Sequence, residues 1–87
     1  NFKIAETEHF SSKISGSKFQ IIYKKIYDFV YPQLRINPFF GSNIKKLKGD
    51  LEGIYRYRVG NFRLFYKIDN DKVIVIMLDI SDRKDAY

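Results

Sequence analysis

Residues 54–68, Ile-Tyr-Arg-Tyr-Arg-Val-Gly-Asn-Phe-Arg-Leu-Phe-Tyr-Lys-Ile, constrain the fold more than any other stretch of the chain. Two runs of alternating character flank Gly60-Asn61. Glycine takes positive φ without a Cβ penalty and asparagine tolerates it better than most residues, so the pair suits a two-residue primed turn. Such a turn sets the pairing register. Val59 then faces Phe62, Arg58 faces Arg63, Tyr57 faces Leu64 and Arg56 faces Phe65.

Side chains alternate across a strand, so this register sorts the hairpin into two faces. One face carries Tyr55, Tyr57, Val59, Phe62, Leu64, Tyr66 and Ile68, an apolar layer suited to helices. The other carries Ile54, Arg56, Arg58, Arg63, Phe65 and Lys67. Like charges directly across a strand pair repel. Either the two facing arginines lie along the sheet and send their heads into water, or the face awaits a polyanion.

The 87 residues allow one small domain, 1–87. Fifteen Phe and Tyr residues supply a core, although a domain of this size buries a modest fraction of its surface and is marginally stable. There is no cysteine, hence no disulfide framework and no thiolate metal site. With His9 as its single histidine, the chain cannot build a multi-histidine metal centre by itself. It has no apolar run near the ~20 residues of a membrane span and no secretory segment. The expectation is a cytoplasmic protein with no membrane partner. His9 itself reads as a surface or satisfied histidine.

A net charge of +6 and a pI near 9.6 favour acidic partners, nucleic acid first. The charge is concentrated. Lys45, Lys46, Lys48, Arg56, Arg58, Arg63 and Lys67 face only Asp50 and Glu52 within residues 45–67.

Residues 1–5 alternate as a short strand. Residues 6–15 suit a brief helix with Phe10 and Ile14 inward, ended by Gly16. Ser17 and Gln20 match a capping box. Phe19, Ile22, Tyr23, Ile26, Phe29 and Val30 then recur at helical spacing as one apolar stripe. Tyr23, Tyr27 and Tyr31 read as a packing stripe or a partner-facing edge. Pro32 should break or kink the helix near Val30 or Tyr31, and Asn37-Pro38 closes the helical region. Residues 39–43 read as a loop leading into the lysine-rich segment 44–49, itself a solvated loop or a phosphate contact. Residues 73–78, continuously apolar, predict a strand buried on both faces. The order is β-α-α-β-β-β. The predicted fold is α+β in two layers, an antiparallel sheet with an N-terminal helical pair packed on one face.

The run Lys46-Leu47-Lys48-Gly49, the hairpin from Tyr55 to Tyr66 and the ending Asp82-Arg83-Lys84-Asp85-Ala86-Tyr87 together resemble the RelE/ParE toxin superfamily, as do the helical pair and Asn37-Pro38-Phe39. The resemblance implies the toxin of a type II toxin–antitoxin pair, with a cognate antitoxin protein as partner and no cofactor or metal. The RelE branch cleaves mRNA on the ribosome, and the ParE branch poisons DNA gyrase. A non-catalytic, basic RNA-binding relic of the fold is a third possibility.

Metal-free RNA cleavage runs by attack of the 2′-OH on its own phosphate while the 5′-oxygen leaves, so fixed cations aimed at phosphate oxygens are the main contribution. Arginine suits this role because its planar fork meets phosphate oxygens in pairs. By similarity, Arg56, Arg58, Arg63 and Arg83 match the basic catalytic positions, and Tyr87 matches a tyrosine that stacks on a base or assists proton transfer. Lys45, Lys46, Lys48, Phe65 and Lys67 are the candidate substrate-binding residues. One departure stands out: Asp82 occupies a position where RelE-like sequences often have histidine. Glu52 and Tyr87 are then the candidate general bases.

Overall fold

The computed structural model describes residues 1–82. Five strands, β1 (Lys3–Glu6), β2 (Ile44–Lys46), β3 (Tyr55–Val59), β4 (Phe62–Asp69) and β5 (Ile74–Asp82), form one sheet in the order β1-β5-β4-β3-β2. The fold is α+β, with helices covering one face of this sheet. Its hairpin core is antiparallel, while β1 adds parallel to β5, which makes the sheet mixed.

The hairpin register is the expected one, with Val59 opposite Phe62 and Arg58 opposite Arg63. Gly60 takes φ 58°, and Asn61 is not among the residues with positive φ. Positive φ at the first turn position alone is the pattern of a II′ rather than a I′ turn. The helix-facing side carries Tyr57, Val59, Leu64 and Tyr66, all buried.

Helix α1 (Glu8–Ile14) begins where Thr7 Oγ1 accepts from the Phe10 amide at 3.1 Å, which satisfies one of the free donors of a helix start. Phe10 and Ile14 point inward. Helix α2 starts at Gln20, and the predicted capping box does not form. Phe19 occupies the cap position without a side-chain bond, and the Ser17-Lys18 turn is held instead by the Phe19 amide on the Gly16 carbonyl.

Pro32 interrupts the regular helix as expected, by a wide turn ending at Val30 rather than by a chain break. The helix runs as Gln20–Lys25, a wide π turn over Ile26–Val30 and a last segment Tyr31–Ile36. In the wide turn the Tyr31 amide reaches the Ile26 carbonyl, five residues back. A prolyl ring clashes with the carbonyl four residues back, and opening the turn relieves that clash. The extra residue also rephases the stripe. Val30, Tyr31 and Leu34 are buried, whereas Phe29, predicted inward, is 70% exposed.

Two further expectations change. The lysine segment includes strand β2 rather than being all loop, because Ile44 joins the apolar layer opposite Tyr57. Strand β5 is longer than predicted and is buried on one face only. Val75, Met77 and Ile80 are fully buried, while Ile74, Ile76 and Leu78 are half-buried. The pairing of β4 with β5 shifts between Phe65 and Tyr66, which oppose Asp79 and Met77, so Leu78 is an extra residue. This bulge reverses the parity of β5. Ile80 turns into the core, and Ser81 comes opposite Arg63 on the open face.

The layers are joined by tyrosine hydroxyls. Tyr31 donates to Glu6 Oε2 at 2.6 Å and Tyr23 to the same oxygen at 2.9 Å. Tyr57 donates to Gln33 Oε1 at 2.6 Å, and Tyr66 to the Pro38 carbonyl at 2.8 Å. Burial, then the bond to Glu6, pushes the Tyr23 hydroxyl up to about 12. Tyr31 is pushed up further by the same two causes, and Tyr66 is raised mainly by burial.

Two predictions follow from this architecture. A phenol whose folded pKa is raised contributes stability that is complete below its unfolded pKa of about 10 and is lost as pH rises through the folded value. The urea midpoint should therefore hold to about pH 9 and fall steeply from about pH 10 upward; a midpoint that is flat across this range would show that the tyrosines titrate as free phenols. The second concerns the backbone. Val73 takes φ 58°, a left-handed conformation that disfavours a β-branched residue. Val73→Asn should raise stability by about 0.5–1 kcal/mol and Gly60→Ala should lower it by about 1–2 kcal/mol, both read by chemical denaturation.

Candidate functional site

The face away from the helices is a grid set by strand register. Across one row, Lys45 of β2 stands beside Arg56 of β3, then Phe65 of β4, then Asp79 of β5. The next row is Arg58, Arg63 and Ser81. Lys67 lies two positions beyond Phe65 on the same side, opposite Ile76. The structure therefore brings together Lys45, Arg56, Arg58, Arg63, Phe65 and Lys67.

The three hairpin arginines differ in depth. Arg58 is exposed, whereas Arg56 and Arg63 are half-buried with their Nε atoms enclosed. Neither Arg63 Nε nor the buried Ser81 Oγ, its register partner, has a hydrogen-bond partner. Arg56 and Arg63 thus lie along the sheet as far as Nε and form a platform beside the exposed Arg58. Such a platform holds cation positions without reorganisation. Repulsion between Arg58 and Arg63 is the local cost of that arrangement.

Beside the cations the same face becomes apolar. Leu51, Ile54, Phe65, Leu78 and Asp79 line a cleft of about 200 Å³. Sequence periodicity gives no signal for this cleft, because it depends on the β5 bulge and on the short turn Gly49–Leu51. Asp79 is held by α1: Lys13 Nζ donates to its Oδ1 at 2.9 Å, and His9 Nε2 lies 3.2 Å from the same oxygen. Burial works to raise the Asp79 carboxyl, but the Lys13 bond, the Ile80 amide and Lys13's charge outweigh it and hold the group below its ordinary value. His9 is thus an exposed, partnered histidine.

Other sequence candidates lie elsewhere. Lys46 is on the opposite side of β2 from Lys45, in a cleft with Phe39, Phe40 and Tyr55. Lys48 and Glu52 line an adjoining depression in the loop before β3, which Lys46 also borders. Asp82 faces the helices, opposite Phe62, with Lys18 Nζ 3.7 Å from its Oδ2. Arg83 and Tyr87 lie outside the described residues. Among the described residues no group of three His, Cys, Asp or Glu side chains could hold a metal ion, and no helix is long and apolar enough to cross a membrane.

If Arg58 and Arg63 repel as their register requires, Arg58→Ala should leave stability unchanged or raise it by a few tenths of a kcal/mol. Thermal and urea denaturation at low salt check this, and a loss above about 1 kcal/mol would show that Arg58 supports the fold instead.

Comparison with known proteins identifies the family. Residues 17–87 match the family model described as ParE toxin of type II toxin-antitoxin system, parDE. The chain is 37% identical over 43 residues to the toxin RelG of Mycobacterium tuberculosis, covering 49% of each protein. It is 47% identical over 45 residues to the putative toxin RelE1 of Methanocaldococcus jannaschii, covering 52% of this chain and 49% of that one. In both cases the match spans about half the length of the relative. In three dimensions it resembles the toxin–antitoxin complex RelBE2 from Mycobacterium tuberculosis, with a TM-score of 0.80, 24% identity and coverage of 94% of this chain and 98% of that one. With the family model matched over most of its length, the chain belongs to the ParE toxin family of the RelE/ParE superfamily.

Proposed function

We propose that this toxin-family protein is a metal-independent endoribonuclease that cleaves mRNA on the ribosome, in the cytoplasm, and so arrests translation. The observation that carries this reading is the register-fixed cluster of Arg56, Arg58 and Arg63, joined by Lys45, on one open face. A phosphodiester seated on this face would offset the repulsion that its register builds between Arg58 and Arg63.

The reaction needs the 2′-oxygen to attack the adjacent phosphorus as its proton leaves, and the P–O5′ bond to break as the 5′-oxygen gains a proton. The products are a 2′,3′-cyclic phosphate and a free 5′-hydroxyl. Negative charge accumulates on the non-bridging oxygens, where the paired N–H donors of Arg58 and Arg63 meet it. Lys45 and Lys67 flank these arginines and would guide the neighbouring phosphates. Phe65, central in the grid, offers a ring to a base. By resemblance, Arg83 and Tyr87 would complete the site. Asp82 does not serve as the base in this reading, since it faces the helices. The partner that restrains the toxin would be a cognate antitoxin protein whose acidic segment covers the basic face.

The ParE description of the matched family favours a second reading, a poison of DNA gyrase. Induced expression with two parallel readouts separates them. Ribonuclease action predicts mRNA cleavage without gyrase-linked DNA breaks, abolished by a 2′-deoxy substitution at the scissile nucleotide. Arg58→Ala and Arg63→Ala should each lower the cleavage rate by roughly 10²-fold. Growth arrest with DNA breaks and intact mRNA would carry the gyrase reading instead. Full cleavage by both alanine variants would remove the arginine cluster from the chemistry.

A further inference from the structure

A second feature of the β2 edge lies on the helix side of the sheet. Phe39, Phe40, Gly41, Ile44, Lys46 and Tyr55 line a cleft of about 560 Å³. Its aromatic wall is ordered. Tyr55 stacks on Tyr66 with ring centroids 5.6 Å apart and planes 13° from parallel, and Phe39 meets Tyr55 edge-on at 6.2 Å.

The loop that presents Phe40 is pinned along its length. Asn37 Oδ1 accepts from the amides of Phe39 and Phe40 at 3.0 and 3.3 Å. Pro38 is buried and its carbonyl accepts from Tyr66. The Ile44 amide bonds the Gly41 carbonyl. A Cβ on Gly41 would come within 2.8 Å of Gln33 Nε2, so the backbone is seated closely on α2. Yet the Phe40 ring is 79% exposed. The pinned backbone fixes where the exposed ring is carried, so little backbone entropy is left to lose when a flat ligand stacks on it.

Charge narrows the ligand. No carboxylate lines the cleft, and Lys46 stands in its wall. Lys45, the adjacent residue, is ~3.8 Å away at Cα and points to the other face beside Arg56. A chain of phosphates crossing the short edge strand would meet Lys45 on one side and Lys46 on the other.

We propose that the Phe39–Phe40–Tyr55 cleft is a nucleobase subsite for single-stranded RNA, in which Phe40 stacks on a base flanking the scissile step and Lys46 holds that nucleotide's phosphate. This deepens the ribonuclease reading and rests on it. The ring sets where the RNA strand lies, and the arginine face acts on the bond.

The test uses the full chain and a fluorescein-labelled single-stranded RNA octamer, with affinity read by anisotropy. Phe40→Ala should weaken binding roughly 5- to 100-fold, as loss of one stacked base implies. Lys46→Ala should weaken binding and flatten the dependence of log affinity on log salt by about 0.7. Phe40→Trp should restore affinity. Because the chain has no other tryptophan, its fluorescence reports the site directly and should be quenched by the RNA. Arg58→Ala provides the separate check on the ribonuclease reading. If Arg58→Ala weakens binding while Phe40→Ala and Lys46→Ala do not, the subsite is overturned and the ribonuclease reading stands. If the wild-type chain binds no RNA, the subsite is overturned, and mRNA cleavage on induced expression alone decides the ribonuclease reading. If Phe40→Ala binds RNA normally but loses affinity for the antitoxin, the cleft is a protein-docking surface and the subsite is overturned.

Discussion

One-sided burial of the β3–β4 hairpin is the constraint on which the rest depends. A side-chain period of two makes every residue's face a consequence of a single register, and slipping by one would exchange the entire apolar layer for the arginines. Leu64 and Tyr66 are fully buried, and Tyr57 and Val59 nearly so, and these four hold that register against α1 and α2. The arginines are therefore presented by the core. No local preference of their own puts Arg58 across from Arg63.

The helical layer is fastened to the sheet by a few polar contacts between apolar ones. Glu6 receives two tyrosine hydroxyls from α2, while Gln33 and the Pro38 carbonyl each receive one from the sheet. A buried hydroxyl without a partner is destabilising, so these contacts set the azimuth of α2 as well as its distance. The π turn belongs to the same arrangement. It accommodates Pro32 and lets Tyr31 and Leu34 face inward, while Phe29 turns to solvent.

The functional face is likewise a result of non-local packing. Lys45 and Arg56 are eleven positions apart in the sequence but adjacent across β2 and β3. The bulge at Leu78 brings Ser81 to Arg63 and sends Ile80 inward. The lysine segment, a single patch when read as a charge run, is divided by strand alternation. Lys45 joins the arginines and Lys46 joins the aromatic cleft.

The sequence by itself determined the hairpin, its two faces, the inward residues of α1 and the two-layer α+β class, because a turn pair and a period of two or 3.6 are local properties. The arginine cluster was legible for the same reason. Four features were decided only by the tertiary structure: the parallel docking of β1, the parity change in β5, the passage of α2 through Pro32 and the separation of the lysines. Each depends on which distant residue fills a space or accepts a hydrogen bond, and periodicity along the chain carries no record of that. The capping box shows the difference most plainly. Ser17 and Gln20 have the right spacing, yet Phe19 buried against Phe62 at a ring separation of 5.5 Å sets where the helix begins. Burial of a large aromatic ring outweighs the roughly 1 kcal/mol that a side-chain cap contributes.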